Sequence, residues 1–336
     1  MSMLTRFGNG LYTGEKSIDI VGRSKLWYGI AAVLLLLAIG FTALRGGFVF
    51  GIEFRGGSEF RVSEASLVVE NATAATALAT DVVNANVEGS NPRVSTVGTD
   101  SVRVQTDQLT PEATNELRAE LAEAFDVPVD QVTSSFIGAS WGQDITRQAI
   151  IALLVFFAFV SVIMTIYFRT WKMVVAAGVA LIHDVVLTAG LYGALGFEIT
   201  PAAVIGFLTI LSYSLYDTVV VFDKVRENTA EDGAESRRTF AQSVNLGVNQ
   251  TIVRSINTSV VAVLPTAAIL FIGSLLLGAG TLRDIALALT VGTIVGTYSS
   301  IFIAAPLYVQ LRSNEPEVKK QGTRKKAPRP ESGAVR

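Results

Sequence analysis

The chain contains no cysteine and a single histidine, His183, among its 336 residues. The first absence excludes disulfides, thiolate metal centres and cysteine nucleophiles, and the second excludes a metal site built on several imidazoles. Phosphate-binding glycine loops and zinc-ligand spacings are missing too. Gly138-Ala-Ser140-Trp-Gly142 resembles a serine elbow only in its letters, because an apolar run follows at once in place of a strand–turn–helix setting. No cofactor and no enzymatic chemistry are expected. Without a nucleotide site, the plausible energy source is a transmembrane ion gradient, worth about 2.3 kcal/mol per charge per 100 mV.

Charge is scarce where hydrocarbon is abundant. Half of the residues are hydrophobic, and several runs reach the ~20 apolar residues that a ~30 Å hydrocarbon core demands. Six are distinguished, at about Leu26–Leu44, Ala149–Phe168, Met173–Leu195, Ile199–Phe222, Ile252–Ser274 and Ile285–Leu311. Arg23 and Lys25 precede the first, as in a cleavable leader. Its length, the lack of a small-residue cleavage site and the later runs make it an anchor. The pattern predicts an α-helical polytopic membrane protein with 1–25 as an N-terminal segment, 26–44 as the first transmembrane helix and 45–148 as an external domain. Residues 149–311 are then helices two to six with a loop at 223–251, and 312–336 a disordered basic tail.

The net charge of −2 conceals a segregation of sign. Lys and Arg gather at the N-terminus (Arg6, Lys16, Arg23, Lys25), between runs two and three (Arg169, Lys172), between four and five (Lys224, Arg226, Arg237, Arg238) and in the tail (Lys319, Lys320, Arg324, Lys325, Lys326, Arg329). All these segments fall on one side of a six-span arrangement. Positive-inside bias predicts that side, and both termini, to be cytoplasmic. The tail's charge suits retention on that side, or contact with anionic lipid or RNA.

The segment from about Arg45 to Asp144 has no lysine and about fifteen acids, as expected of a translocated domain. Alternation predicts a strand at Phe54–Val62. A helix at Ala72–Asn86 follows, then strands Arg93–Val97 and Ser101–Thr106 around Gly98-Thr99-Asp100, a helix at Pro111–Phe125 and a strand at Val132–Ile137. That βαββαβ order predicts a small ferredoxin-like α+β unit.

Within the apolar runs, Asp217 lies about seven residues before Lys224, hence roughly 10 Å inside at 1.5 Å per residue. Tyr213 and Ser214 share its helix face. A carboxylate at that depth costs at least ~2.5 kcal/mol and needs a partner or a proton. It is either a proton site or an interfacial acid reaching water, as Asp223 is expected to be. His183-Asp184 falls near the middle of the third run, with Thr188 on its face, as a structural pair or a proton relay. Arg254, with Asn257 and Thr258 beside it, is either an ordinary anchor preceded by a surface helix at Ser236–Gln250, or a counter-charge for Asp217. Asp284 is expected at the outer interface. Thr290, Thr293, Thr297 and Ser300 share one face of the sixth run next to Gly292 and Gly296, as close helix packing or a hydrated path requires. Pro265 predicts a kink in the fifth.

Several of these segments resemble the SecD/SecF family of bacterial protein-export membrane proteins, within the RND transporter superfamily. Gly51-Ile-Glu53-Phe54-Arg-Gly56-Gly57-Ser58 resembles its Gly-x-Asp-Phe-x-Gly-Gly-Thr outside the first span, and His183-Asp184 its His-Asp. The run Tyr213-Ser-Leu-Tyr-Asp217-Thr-Val-Val-Val-Phe-Asp223-Lys-Val-Arg226-Glu-Asn228 is similar to its Tyr-Ser-Ile-Asn-Asp-Thr-Val-Val-Val-Phe-Asp-Arg-Ile-Arg-Glu-Asn. Arg254-Ser-Ile-Asn257-Thr258-Ser259 resembles its Arg-Thr-Ile-Asn-Thr-Ser, and Leu282-Arg-Asp284 and Gly296-Thr-Tyr-Ser-Ser300 fit the region of its sixth span. The departures are Glu53 for Asp, Ser58 for Thr, and Tyr216 for the Asn before the intramembrane Asp.

The resemblance implies half of a twelve-span RND bundle in the bacterial cytoplasmic membrane, completed by a SecD-like six-helix partner beside the SecYEG channel. Proton flow would move the external domains to assist unfolded preproteins late in export, after the cytosolic ATPase step. Asp217 and Arg254 would carry the proton coupling, Asp284 more weakly, with His183 and Asp184 as a matched pair. The residues themselves leave two rivals open: a small-molecule or lipid transporter of the same superfamily, and a non-transporting scaffold.

Overall fold

The computed structural model describes residues 3–87, 89–231, 238–273, 280–316 and 318. Arg237 and the basic tail from Lys319 onward lie outside the described residues. Six helices are long and apolar enough to cross a membrane, making this a multi-pass membrane protein. They are span one (Ser24–Leu44), two (Ala139–Phe168), three (Trp171–Leu195), four (Pro201–Ala230), five (Phe240–Ile272) and six (Leu282–Arg312).

Spans three, four and six form the centre, with 44–56% of each apolar window buried against 11–17% in spans one, two and five. Glycine lets these helices close on one another. A Cβ on Gly206 would stand 2.6 Å from the Ala288 Cβ, and one on Gly296 would stand 2.8 Å from the Ser214 Cβ, so spans four and six meet backbone to backbone. Gly190 does the same for spans three and one, against Ala38.

Spans two, four and five run longer than the sequence reading. Span two starts at Ala139 instead of Ala149, span four continues past Phe222 to Ala230 and span five starts at Phe240 instead of Ile252, so helix takes up much of the loop expected at 223–251. From Phe240 onward, the surface helix expected at Ser236–Gln250 is the first part of span five, and Ser236 lies outside the described residues. Thr239 opens that helix in a reciprocal capping box with Gln242, and no breaker follows before Pro265. Pro265 sits inside the helix, whose regular winding gives way to a π turn at Ile269–Gly273. A second π turn, Ser300–Ala304, precedes Pro306 in span six, where proline cannot donate to the carbonyl four residues back. At the N-terminus, an amphipathic helix (Met3–Thr13) packs on span five. Behind it, Asn245 and Asn249 accept from the backbone N–H groups of Ile18, Ile20 and Val21.

Between spans one and two, strands β1 (Val49–Phe50), β2 (Gly57–Val62), β3 (Arg93–Val97), β4 (Ser101–Thr106) and β5 (Val132–Ile137) appear with helices Ala72–Asn86 and Pro111–Ala124. The four-stranded sheet runs β3-β4-β2-β5, antiparallel throughout, which is the ferredoxin-like order. Phe60, Val62, Val102, Val104 and Val132 of the sheet bury with Ala75, Ala79, Val83, Leu117 and Leu121 of the helices. Burying each of the Phe, Val and Leu side chains among them contributes roughly 1.5–3 kcal/mol, and the alanines less. Asn71 and Thr110 cap the two helices. The first strand starts at Gly57, not at Phe54, because Ile52–Arg55 forms a helical turn and Gly56 and Gly57 leave it at φ +79° and +144°. β1 pairs in parallel with β6 (Glu198–Ile199), joining the end of span one to the connection between spans three and four.

Candidate functional site

Span three supplies Asp184, which is fully buried. Its Oδ1 lies 3.1 Å from His183 Nδ1, and its Oδ2 accepts from Ser214 of span four at 2.5 Å and from Ser299 of span six at 2.7 Å. Span four supplies Asp217, 4% exposed. It accepts from Ser255 of span five at 2.7 Å and from Ser300 of span six at 2.5 Å. Ser214 precedes Asp217 by three positions and so shares its helix face. Successive residues on a helix of 3.6 per turn point about 100° apart, which lets Ser299 address span three while Ser300 addresses span four.

Two carboxylates are thus linked through four hydroxyls from three spans. None of these four serines carries charge, so the hydrogen bonds to Asp217 come from hydroxyl dipoles, while Asp184 also has the His183 imidazole at 3.1 Å. The hydroxyls continue beyond Asp217: Ser259 meets Thr297, and Thr290 donates to Thr266 at 3.0 Å. The sixth-span hydroxyl face and its two glycines therefore both engage neighbours: Thr290 and Thr297 meet span five, while Ser300 and the glycines meet span four. His183 Nε2 and the hydroxyls of Thr188 and Thr218 are buried and make no hydrogen bond among the described residues.

Arg254 does not sit on Asp217. Among the described residues the two form no ion pair. The guanidinium donates to the Tyr216 hydroxyl at 3.2 Å and is exposed. The helix explains it: Ser255 points into the bundle, and Arg254, one step round, points out. Tyr216, where the resemblance shows Asn, thereby becomes the arginine's partner.

Asp284 lies elsewhere, at the end of the bundle that bears the α+β unit. Its carboxylate accepts from Thr200 at 2.8 Å, and its backbone carbonyl from the Tyr192 hydroxyl at 2.6 Å. Seventeen positions of one helix, or roughly 25 Å at 1.5 Å per residue, separate Thr200 from Asp217. The sequence-derived set therefore divides into a buried cluster (His183, Asp184, Asp217), a neighbouring outward arginine, and a distant acid.

The Glu53, Phe54, Gly56, Gly57 motif forms a joint. A Cβ on Gly57 would stand 2.5 Å from the Thr106 carbonyl oxygen, and one on Gly56 3.0 Å from the Ala139 backbone. Gly142 of span two packs as tightly on the Phe54 carbonyl, at 2.6 Å from a would-be Cβ. The motif seats the start of span two against the start of β2. Glu53 Oε2 is buried and makes no hydrogen bond among the described residues. Burial holds this carboxyl above the ordinary carboxylate range, and nearby Glu59 and Glu198 add to the rise.

Sequence reasoning assigned no role to Ser255 or Ser299 and placed Ser300 only in a hydroxyl row of span six, although all three stand in the quoted segments. Their signal was a serine one, three or four positions from a charged or glycine landmark.

Residues 117–314 match the family described as "Protein export membrane protein SecD/SecF, C-terminal". "Protein translocase subunit SecF" of Streptomyces coelicolor is 42% identical over 319 residues, covering 95% of this chain and 83% of its own. The protein of that name in Mycobacterium tuberculosis is 42% identical over 339 residues, covering 98% and 74%. The crystal structure of SecDF from Thermus thermophilus, titled a translocon-associated membrane protein, superposes with a TM-score of 0.75 at 30% identity. It covers 89% of this chain, which spans only 39% of that longer one. A second SecDF structure, in the super-membrane-facing form, gives 0.62 at 29%. These relatives are translocase subunits, a transporter class.

Proposed function

The chain belongs to the SecD/SecF family of protein-export membrane proteins, and from that premise we propose that it is the proton-coupled half of a two-part export motor. It assists late, Sec-dependent movement of unfolded preproteins across the bacterial cytoplasmic membrane, with both termini inside. The observation that carries this reading is the position of Asp217, closed off from water and, among the described residues, hydrogen-bonded by the hydroxyls of Ser255 and Ser300. Hydroxyls both donate and accept, so they can serve the carboxylate in either protonation state by rotating. Gaining a proton turns one carboxylate oxygen from acceptor into donor, so the hydroxyl facing that oxygen, from span five or span six, has to turn round. That makes the packing of three spans depend on one titration, which is the coupling a gradient-driven switch needs.

A partner is supported by the outer surface of spans four and five. Ser212, Tyr216, Arg254 and Asn257 are exposed there, amid lipid-type side chains such as Ile256 and Val260. Arginine and asparagine facing hydrocarbon are costly. A SecD-like six-helix partner would cover that face and complete a twelve-span bundle beside the SecYEG channel.

The test is export of a secreted reporter into vesicles carrying the whole complex, with and without an imposed gradient. Wild type should be stimulated by the gradient and Asp217→Asn should not. Equal stimulation of both sinks the proton-coupled reading.

A further inference from the structure

At the end of the bundle bearing the α+β unit, the uncovered face of the sheet stands over the connection between spans three and four. Arg103, in the middle of β4, donates to Glu198 Oε2 at 2.9 Å. Gln105, two residues along the same strand, bonds Glu59 at 3.0 Å and the same Glu198 oxygen at 3.5 Å. The two charged side chains are only 28% and 15% exposed, which sets the pair apart from freely hydrated surface pairs that contribute little.

Glu198 is itself tightly placed. It pairs through β6 with Val49 at the exit of span one. Two residues on, Thr200 begins span four and holds Asp284 of span six. One carboxylate therefore touches the sheet while its chain neighbours hold three spans, two of which carry Asp217 and Ser300 at depth. The backbone joints to the α+β unit are, by contrast, built on glycine: Gly46 and Gly47 after span one at φ +90° and +104°, and Gly56 and Gly57 before β2. The open link at Gly46 and Gly47, where a Cβ would meet nothing within 4 Å, bends readily and transmits little force, and the packed pair Gly56 and Gly57 serves as the pivot.

Resting on the motor reading above, we infer that Arg103 and Glu198 are positioning residues that register the external domain on the hairpin of spans three and four. A shift of span four then reaches the sheet as a tilt instead of being absorbed at the glycine joints. The pair acts across the sheet face, opposite Arg61 and away from the pivot at Gly56 and Gly57, where a force exerts more torque than it would at the pivot.

The absence of cysteine makes the test direct. Glu116→Cys in the domain and Leu195→Cys at the end of span three, both at exposed positions, take spin labels in the full chain with its partner. The wild-type background should give a narrow distance distribution. Arg103→Glu or Glu198→Arg alone should broaden it and remove gradient-stimulated export, and the two reversals together should narrow it again and restore export. Labels at Val69→Cys and Glu116→Cys, both within the domain, report whether it stays folded. Should a reversal disturb that pair, Arg103→Gln and Glu198→Gln read the same interdomain distance. Single variants that keep the narrow distribution, or a double reversal as broad as the singles, overturn the inference. The distance readout needs no gradient, so a wild-type protein without gradient-stimulated export would count against the motor reading while leaving this contact tested.

Discussion

Asp184 and Asp217, on different spans, accept hydrogen bonds from adjacent residues of a third: Ser299 reaches Asp184 at 2.7 Å and Ser300 reaches Asp217 at 2.5 Å. Span six thus reads both acids at one point of its length, where its winding loosens into the π turn at Ser300–Ala304. Ser300→Ala leaves Asp217 with Ser255 alone, whereas Ser299→Ala leaves Asp184 with Ser214 and His183. A hydrogen bond to a charged group is worth about 1.5–3 kcal/mol. Ser300→Ala should therefore abolish most gradient-stimulated export, Ser299→Ala should reduce it less, and Ser300→Thr should retain it. Vesicle export measured side by side ranks the three, and the reverse order for the two alanine variants would contradict the assignment.

Tyr216 holds Arg254 through its hydroxyl at 3.2 Å. Tyr216→Phe deletes that acceptor and keeps the ring, while Tyr216→Asn installs an amide carbonyl that can also accept. The expected result is weaker gradient-stimulated export in Tyr216→Phe, by a factor of about 5 for a hydrogen bond of ~1 kcal/mol, with near-normal export in Tyr216→Asn. Equal activity of the two variants would show that the hydroxyl contact does not matter.

The spans, the α+β unit and its strand order were legible because they rest on periodicity and turn chemistry, which are local. Phe60 and Val62 alternate with Glu59 and Arg61, and Pro111 marks its helix start. The depth of Asp217 followed from counting residues to Lys224. What sequence spacing cannot carry is which helix faces which. Arg254 and Asp217 look like partners by charge, yet one step of helix rotation sends Arg254 outward and Ser255 inward. Asp284 shared a motif region with Ser300 but lies at the far end of the span, and Glu198 gave no sign of meeting Arg103, 95 positions away. Such contacts are set by tertiary packing, and the glycines that permit it were visible only as small residues.

Gly296 illustrates that dependence. A Cβ there would stand 2.8 Å from the Ser214 Cβ, and Ser214 in turn donates to Asp184. Gly296→Ala should push spans four and six apart at the site, costing about 1–3 kcal/mol as overpacking does. Thermal unfolding of the purified protein should show a lowered midpoint. Gly178→Ala, at a position where a Cβ meets nothing within 4 Å, should leave the midpoint unchanged or raise it slightly. Comparable loss in both variants would argue against close approach as the reason for glycine at 296.

Glu53 provides a prediction with a definite sign in pH. Burial is the main cause of its raised proton affinity, with Glu59 and Glu198 adding to it and Arg103 opposing. The folded protein then holds this proton more tightly than the unfolded chain does, so folding takes up a proton in the window between the ordinary carboxylate range and the folded value. Linkage makes stability fall as pH rises through that window, because the unfolded state binds fewer protons there. Glu53→Gln cannot ionise and escapes the penalty. The unfolding midpoint of Glu53→Gln minus that of wild type should therefore be small below the ordinary carboxylate range, grow more positive as pH rises through the window, and level off above it. Taking the difference cancels the other acids, which titrate in both proteins. A difference that instead grows as the pH is lowered would mean that the ionised carboxylate is the form the fold favours, and that the buried Oε2 finds a donor in the folded protein after all.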